Sequence, residues 1–369
     1  MDYNKLLSII NKDEPSSELF DQIKYYVNEL IKDSLENSVL WQELYKDNSI
    51  VYDTIKSFLL GNGKRLRPII FMLLYLSYTK KPNWKNSAKT MLSMELIHAF
   101  ILIHDDIVDK SDFRRSLPTL HKSFNNSIQN INSSNTASIT GEDMALVAGD
   151  MIYAMAINTF IEVDIPSNNF LKALKNLTKT AMFTAHGEIK EMLETLKPLD
   201  GIFENDLYNI YDLKTAYYTF CSPAILGAIL ADKMQDTNLL EKIGLSFGRA
   251  FQILNDLIEL EEFSKYFESK PPKDLKEKKR TLIIYWAYKT SKTKDKKQLE
   301  NFINTDKDCN INYKEIYKII SNSGAIDYAK KEIIKYKNEA KSLIAQLSIN
   351  EKSAKILSAY FDIIVPDQL

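Results

Sequence analysis

Cysteine, proline, glycine and histidine are all scarce in this chain, and each shortage narrows what the protein can be. Two cysteines, Cys221 and Cys309, cannot build a disulfide framework and point to a reducing, cytoplasmic compartment. Ten glycines and ten prolines in 369 residues are few for a fold rich in turns and strands. Leu, Ile, Lys, Glu and Ala abound instead, so the expected class is all-α. A formal net charge of −1 gives no global field toward nucleic acid or membrane, so any anion site has to be a local cluster. The longest apolar run, Thr215 to Ala231, is broken by Ser222 and Pro223 and falls short of a membrane span; it reads as a buried core helix. The opening MDYNKLLSIINKDEPSS lacks the apolar core of a signal peptide. There is no Gly-x-Ser-x-Gly, no Cys–His signature, and no internal repeat beyond two acidic clusters.

What is present gathers in Met94 to Lys122, MELIHAFILIHDDIVDKSDFRRSLPTLHK, which holds His98, His104 and His121 of the four histidines. An apolar helical run leads into Asp105, Asp106 and Asp109, and then Arg114 and Arg115. On a helix, positions four apart share a face, so Asp105 and Asp109 point the same way and His98 lies two turns up that face. Stacked carboxylates repel unless a cation sits between them, and Mg²⁺ takes one or two carboxylates plus water and phosphate oxygens. The two arginines supply planar forks for phosphate. The alternative is a solvated acidic helix end followed by basic residues.

Other stretches carry a similar chemistry. Gly61-Asn62-Gly63-Lys64-Arg65-Leu66-Arg67-Pro68 is a glycine-opened basic turn in which Lys64 and Arg67 could meet on one phosphate; its spacing is not that of a P-loop. Lys214-Thr215 precedes an apolar helix, where a lone lysine is commonly a snorkelling surface residue. Gln252, Asn255, Asp256 and Glu259 repeat the one-turn spacing of the first acidic cluster. Helices are expected over Val51–Leu60, Pro68–Tyr78, Met144–Ile165 (where Ala148-Gly149 permits close packing and Asp150 needs a partner) and Asn169–Met192, with Lys-rich helices closing the chain. Ser123 to Gly141, rich in Asn and Ser, reads as a long mobile loop.

These pieces in this order resemble the trans-isoprenyl diphosphate synthases (polyprenyl synthetases). The resemblance rests on GKRLRP at Gly63–Pro68, DDIVD at Asp105–Asp109, the RR of Arg114 and Arg115 followed by PTLH, AGD at Ala148–Asp150, KTA at Lys214–Ala216, GRAFQILND at Gly248–Asp256 and DLKEKKRTL at Asp274–Leu282. It implies one all-α domain over residues 1–369, a helical bundle around a central cavity with its motifs at about 61–282, and usually a homodimer. It implies that Asp105 and Asp109 bind Mg²⁺ (two to three ions in all), with Asn255, Asp256 and Glu259 as a second metal face. Arg114, Lys214, Thr215, Gln252 and Lys279 would hold an allylic diphosphate; Lys64, Arg67, His98 and Arg115 would hold isopentenyl diphosphate. Phe100, five positions before Asp105, resembles the residue limiting chain length in short-chain enzymes of archaeal type, which favours a C15–C20 product, geranylgeranyl ahead of farnesyl. The chain departs from the pattern where Asn255 and Glu259 give NDLIE for DDxxD, where Glu188 stands for the usual Gln, and where Asn62, Ser116 and Lys278 replace glycines. The altered second motif leaves open a non-catalytic prenyl-diphosphate-binding or regulatory subunit. A class I terpene cyclase needs no isopentenyl site, so Lys64, Arg67 and His98 argue against it.

Overall fold

The computed structural model describes residues 17–61, 63–114, 117–131, 138–265, 271–305 and 311–367. Among these, the only strands are the two-residue pair β1 (Phe113–Arg114) and β2 (Leu117–Pro118), antiparallel with Arg114 opposite Leu117; the remaining regular structure is helical. The chain divides into two compact units, residues 1–177 with 226–232, and residues 178–225 with 233–369.

The first unit holds α1 (Ser17–Asn37), α2 (Val39–Asp47), α3 (Ser49–Leu59), α4 (Leu66–Tyr78), α5 (Trp84–Val108), the β pair, α6 (Leu120–Ile131) and α7 (Gly141–Ile161). The unit boundary falls within α8 (Ser167–Thr195) and within α10 (Ser222–Leu230). The second unit continues with α9 (Glu204–Tyr211), a π-helix (Asp212–Cys221), α11 (Thr237–Lys265), α12 (Lys273–Glu277), α13 (Leu282–Thr290), α14 (Thr293–Asn304), α15 (Tyr313–Asn322), α16 (Ala325–Ile344) and α17 (Glu351–Ile364).

Local chemistry sets the starts of the helices that carry the motifs. Asn83 caps α5 by accepting from the Asn86 amide at 3.1 Å. Thr140 and Asp143 form a reciprocal capping box on α7. The two helices then pack closely: Ser93 Oγ donates to the Ala156 carbonyl at 2.8 Å, and a Cβ at Gly149 would lie 2.4 Å from His104 Cε1. The expected Ala148-Gly149 close approach is therefore present. Asp150 turns outward instead, exposed, with His104 Nε2 at 3.6 Å.

Two expectations change. Of the loop expected over Ser123–Gly141, Ser123 to Ile131 is helix, because Leu120, Phe124 and Ile128 recur every fourth residue and Phe124 is fully buried, a gain of about 1.5–3 kcal/mol that outweighs the polar Asn/Ser face; residues 132–137 lie outside the described residues. Among the described residues the helix long and apolar enough to cross a bilayer, by length and composition alone, is α7, whereas the longest apolar run was expected at Thr215–Ala231. Its inner face, Ala145, Ala148, Gly149, Ile152, Ala156 and Phe160, is buried, while Leu146, Val147 and Ile161 face outward.

In the second unit α11 packs against α16 and the π-helix. Small residues allow it: a Cβ at Gly248 would meet Ala216 Cβ at 2.3 Å, and one at Gly244 would meet Cys221 Sγ at 2.5 Å. Phe247 stacks on Phe361 at 3.7 Å and meets Phe220 edge-on at 5.0 Å.

Candidate active site

In the first unit, α5 delivers the aspartates. Carboxylate oxygens of Asp105 and Asp109 come within 4.8 Å of each other, both half-buried on one face. Asp106 points inward and is buried. Its partner is Arg114, reaching back from β1: Nε donates to both Asp106 oxygens (2.9 and 2.8 Å) and Nη2 to Asp105 Oδ2 (2.9 Å). Burial alone would lower the Arg114 pKa, but the bonds to Asp106 and Asp105 more than offset it and hold the guanidinium charged. The expected phosphate fork is thus turned onto the acidic cluster itself. Arg115 lies outside the described residues.

The basic turn divides its charges. Lys64 is exposed and Arg67 half-buried, but Arg65 runs inward with a left-handed backbone (φ 51). Its guanidinium donates to Glu95 Oε2 (2.6 Å), Asn28 Oδ1 (2.9 Å) and the carbonyls of Leu59 (3.3 Å) and Gly61 (3.1 Å). Arg65 and Glu95 form a buried structural pair that fixes the turn. Sequence spacing does not reveal it, since the partners lie 30 residues apart. The pair borders a cavity of about 310 Å³ whose wall also takes in His98, Arg114, Leu102 and Phe58. Phe100 projects elsewhere on α5, against His104 (4.7 Å) and Tyr153 of α7 (5.0 Å).

The second unit gathers its own cluster around a cavity of about 80 Å³. Lys214 Nζ lies 2.5 Å from Glu188 and 2.7 Å from Glu191. Lys279 Nζ lies 3.4 Å from Glu191 and 3.2 Å from Glu277. Thr215 Oγ1 donates to Gln252 Oε1 (2.7 Å), and Gln252 Nε2 to Asp256 Oδ1 (2.9 Å). Tyr211 donates its hydroxyl proton to Asp256 Oδ2 and accepts from the Leu282 amide at 3.2 Å. Lys214 is thus no snorkelling surface residue; it sits over two glutamates on the cavity wall.

Electrostatics in this cavity are tense. Burial pushes Asp256 up to about 7, against the pull of its bonds to Tyr211 and Gln252. Asp274, half-buried, is pushed up by desolvation first and then by Asp256 and Glu259. Asn255 and Glu259 share a half-exposed face, with Glu259 Oε2 accepting from the Lys273 amide at 3.1 Å. Asp256 faces inward. Tyr211, Glu191 and Asp274 are the neighbours that residue spacing did not single out; Asp274 stands within a quoted motif, whereas Tyr211 gives no sequence signal.

Both units therefore present hard carboxylate oxygens beside fixed lysines or arginines on an all-α scaffold, the equipment of a protein that handles anions together with divalent cations. Residues 48–320 match the polyprenyl synthetase family model, and the chain belongs to that family. It is 29% identical to the short chain isoprenyl diphosphate synthase of Methanocaldococcus jannaschii over 77% of this chain and 80% of that one. It is 26% identical to the geranylgeranyl diphosphate synthase of Sulfolobus acidocaldarius over 75% and 76%. Its fold is that of a geranylgeranyl pyrophosphate synthase from Corynebacterium glutamicum, solved with isoprenyl diphosphate and magnesium (TM-score 0.80, 20% identity, 95% of this chain and 99% of that one).

Proposed function

We propose that this prenyltransferase condenses isopentenyl diphosphate with an allylic diphosphate to a C15–C20 product, geranylgeranyl diphosphate favoured. The observation that carries the reading is the family match over residues 48–320, which takes in every residue assigned a role here. The relatives described above are named as synthases, which supports the active enzyme over the non-catalytic alternative that the altered second motif left open.

The proposed roles follow from the donor chemistry. Asp105 and Asp109 offer oxygens close enough to share a hard cation, so Mg²⁺ fits, with Asn255, Asp256 and Glu259 as a second oxygen face. When bound, Mg²⁺ supplies Lewis-acid neutralisation of diphosphate charge. Lys214, Lys279, Thr215 and Gln252 hold the allylic diphosphate and stabilise it as it departs, and Arg114, bonded to Asp105 and Asp106, is a further cation for diphosphate. Lys64, Arg67, His98 and Arg115 hold isopentenyl diphosphate. Apolar walls keep water from the allylic cation. The outward apolar face of α7 suits a homodimer, and the low cysteine content suits the cytoplasm.

Purified protein with Mg²⁺, labelled isopentenyl diphosphate and each allylic primer in turn should yield an extended product, its length read by chromatography. No elongation with any primer would sink the reading and leave the binding-subunit alternative standing.

A further inference from the structure

Three consecutive basic residues follow α12, and the structure uses them differently. Lys279 lines the cavity of the second unit, while Lys278 and Arg280 are buried. α12 ends in a Schellman turn: the Lys278 amide donates to the Leu275 carbonyl (3.1 Å) and the Lys279 amide to the Asp274 carbonyl (2.9 Å). Lys278 takes the left-handed conformation at φ 58, ψ 37, the position where a residue without Cβ meets no penalty.

Lys278 compensates with its side chain. Nζ donates to the Thr305 carbonyl and, at 3.4 Å, to the Ile303 carbonyl, at the C-terminal end of α14. Terminal helix carbonyls lack intrahelical partners and carry the negative end of the dipole. The Phe302 ring stands 5.8 Å away. Arg280 grips the same turn from the other side, Nη1 on the Lys278 carbonyl (2.5 Å) and Nε and Nη2 on the Lys197 carbonyl (3.2 and 2.7 Å). The backbone is tied on both sides of Lys279.

We propose that Lys278 is a positioning residue: by anchoring the Schellman turn to the end of α14, it fixes the aim of Lys279 into the cavity. This rests on the reading of Lys279 as a diphosphate ligand, and the test separates the two. The probe is inorganic pyrophosphate with Mg²⁺, followed by calorimetry, with KM and kcat for the allylic substrate as a second readout. Lys278→Gly suits the backbone but cuts the tether, and should weaken pyrophosphate binding about tenfold, the scale of one misaligned charge-assisted hydrogen bond. KM should rise more than kcat falls. Lys278→Arg, which keeps a reaching cation, should recover most of the loss. In a Lys279→Met background Lys278→Gly should add nothing further. If Lys278→Gly binds as tightly as the parent while Lys279→Met does not, or weakens binding equally in both backgrounds, the inference is overturned. If Lys279→Met itself binds like the parent, the diphosphate reading of Lys279 fails and takes the inference with it. Should Lys278→Gly be insoluble, Lys278→Gln against Lys278→Arg makes the same comparison.

Discussion

Asp256 shows how a single residue couples protonation to folding. In the folded chain its pKa is raised to about 7 from an ordinary 3.8, chiefly by burial. Between those values the folded state keeps a proton that the unfolded state has lost, so stability falls as pH rises through that window. For metal-free protein, melting temperatures measured from about pH 4 to pH 8 should decline, and Asp256→Asn should decline less. Asp274 carries the same sign, so some fall remains. Arg65 and Glu95 are a buried ion pair. Glu95→Gln leaves a buried guanidinium uncompensated and should cost about 3–5 kcal/mol, read as a drop in denaturation midpoint. Phe100→Ala should lengthen the product; an unchanged chain length would remove Phe100 as the stop. At this scale the sequence was informative wherever chemistry repeats at helical spacing, as with Asp105 and Asp109. It was silent on Tyr211 and on the Arg65–Glu95 pair, whose partners meet only through the fold.

At the scale of elements, the π-helix is the feature that periodicity does not reveal. Its register is set by α11, where Gly248, Arg249 and Gln252 meet Ala216, Asp212 and Thr215 in turn. Arg249 grips Asp212 with two bonds, 2.8 and 2.6 Å, and lies over the rings of Tyr208 and Tyr336. Wide helical turns of this kind cluster at functional sites, and this one carries Lys214 and Thr215. Gly248→Ala would place a methyl 2.5 Å from Ala216 Cα, where backbone cannot yield cheaply. It should cost about 1–3 kcal/mol in a thermal melt and weaken pyrophosphate binding as Lys214 shifts. Among the other elements, α5, α7 and α8 follow their apolar spacing and were legible. α6 was not, because its Asn and Ser content masked three apolar positions on one face.

For the molecule as a whole, near-neutral net charge means that its chemistry lies in local clusters, one described in each unit. The surface also carries an apolar statement: Val147 is 67% exposed beside Leu146 on α7. Soluble chains rarely leave such patches open. If the proposed homodimer forms through α7, Val147→Glu should give a monomer where the parent gives a dimer in light scattering after gel filtration; equal masses for the two would remove α7 from the proposed interface. Class and family were legible because the motifs fall in one order along a chain poor in turn formers. The division into two compact units was not, since it depends on which helices pack together.

The β1–β2 pair, two residues a side, is too short to hold itself together. What anchors it is Arg114 on Asp105 and Asp106, and Asp106 is almost wholly shielded from solvent. Dissolved salt screens exposed charges within about 3 Å at molar concentration but reaches shielded ones poorly. Raising the ionic strength should therefore loosen rim contacts such as Lys122 with Asp112 while the β1–β2 pair stays seated on the aspartates, so brine would soften the edge of this region first.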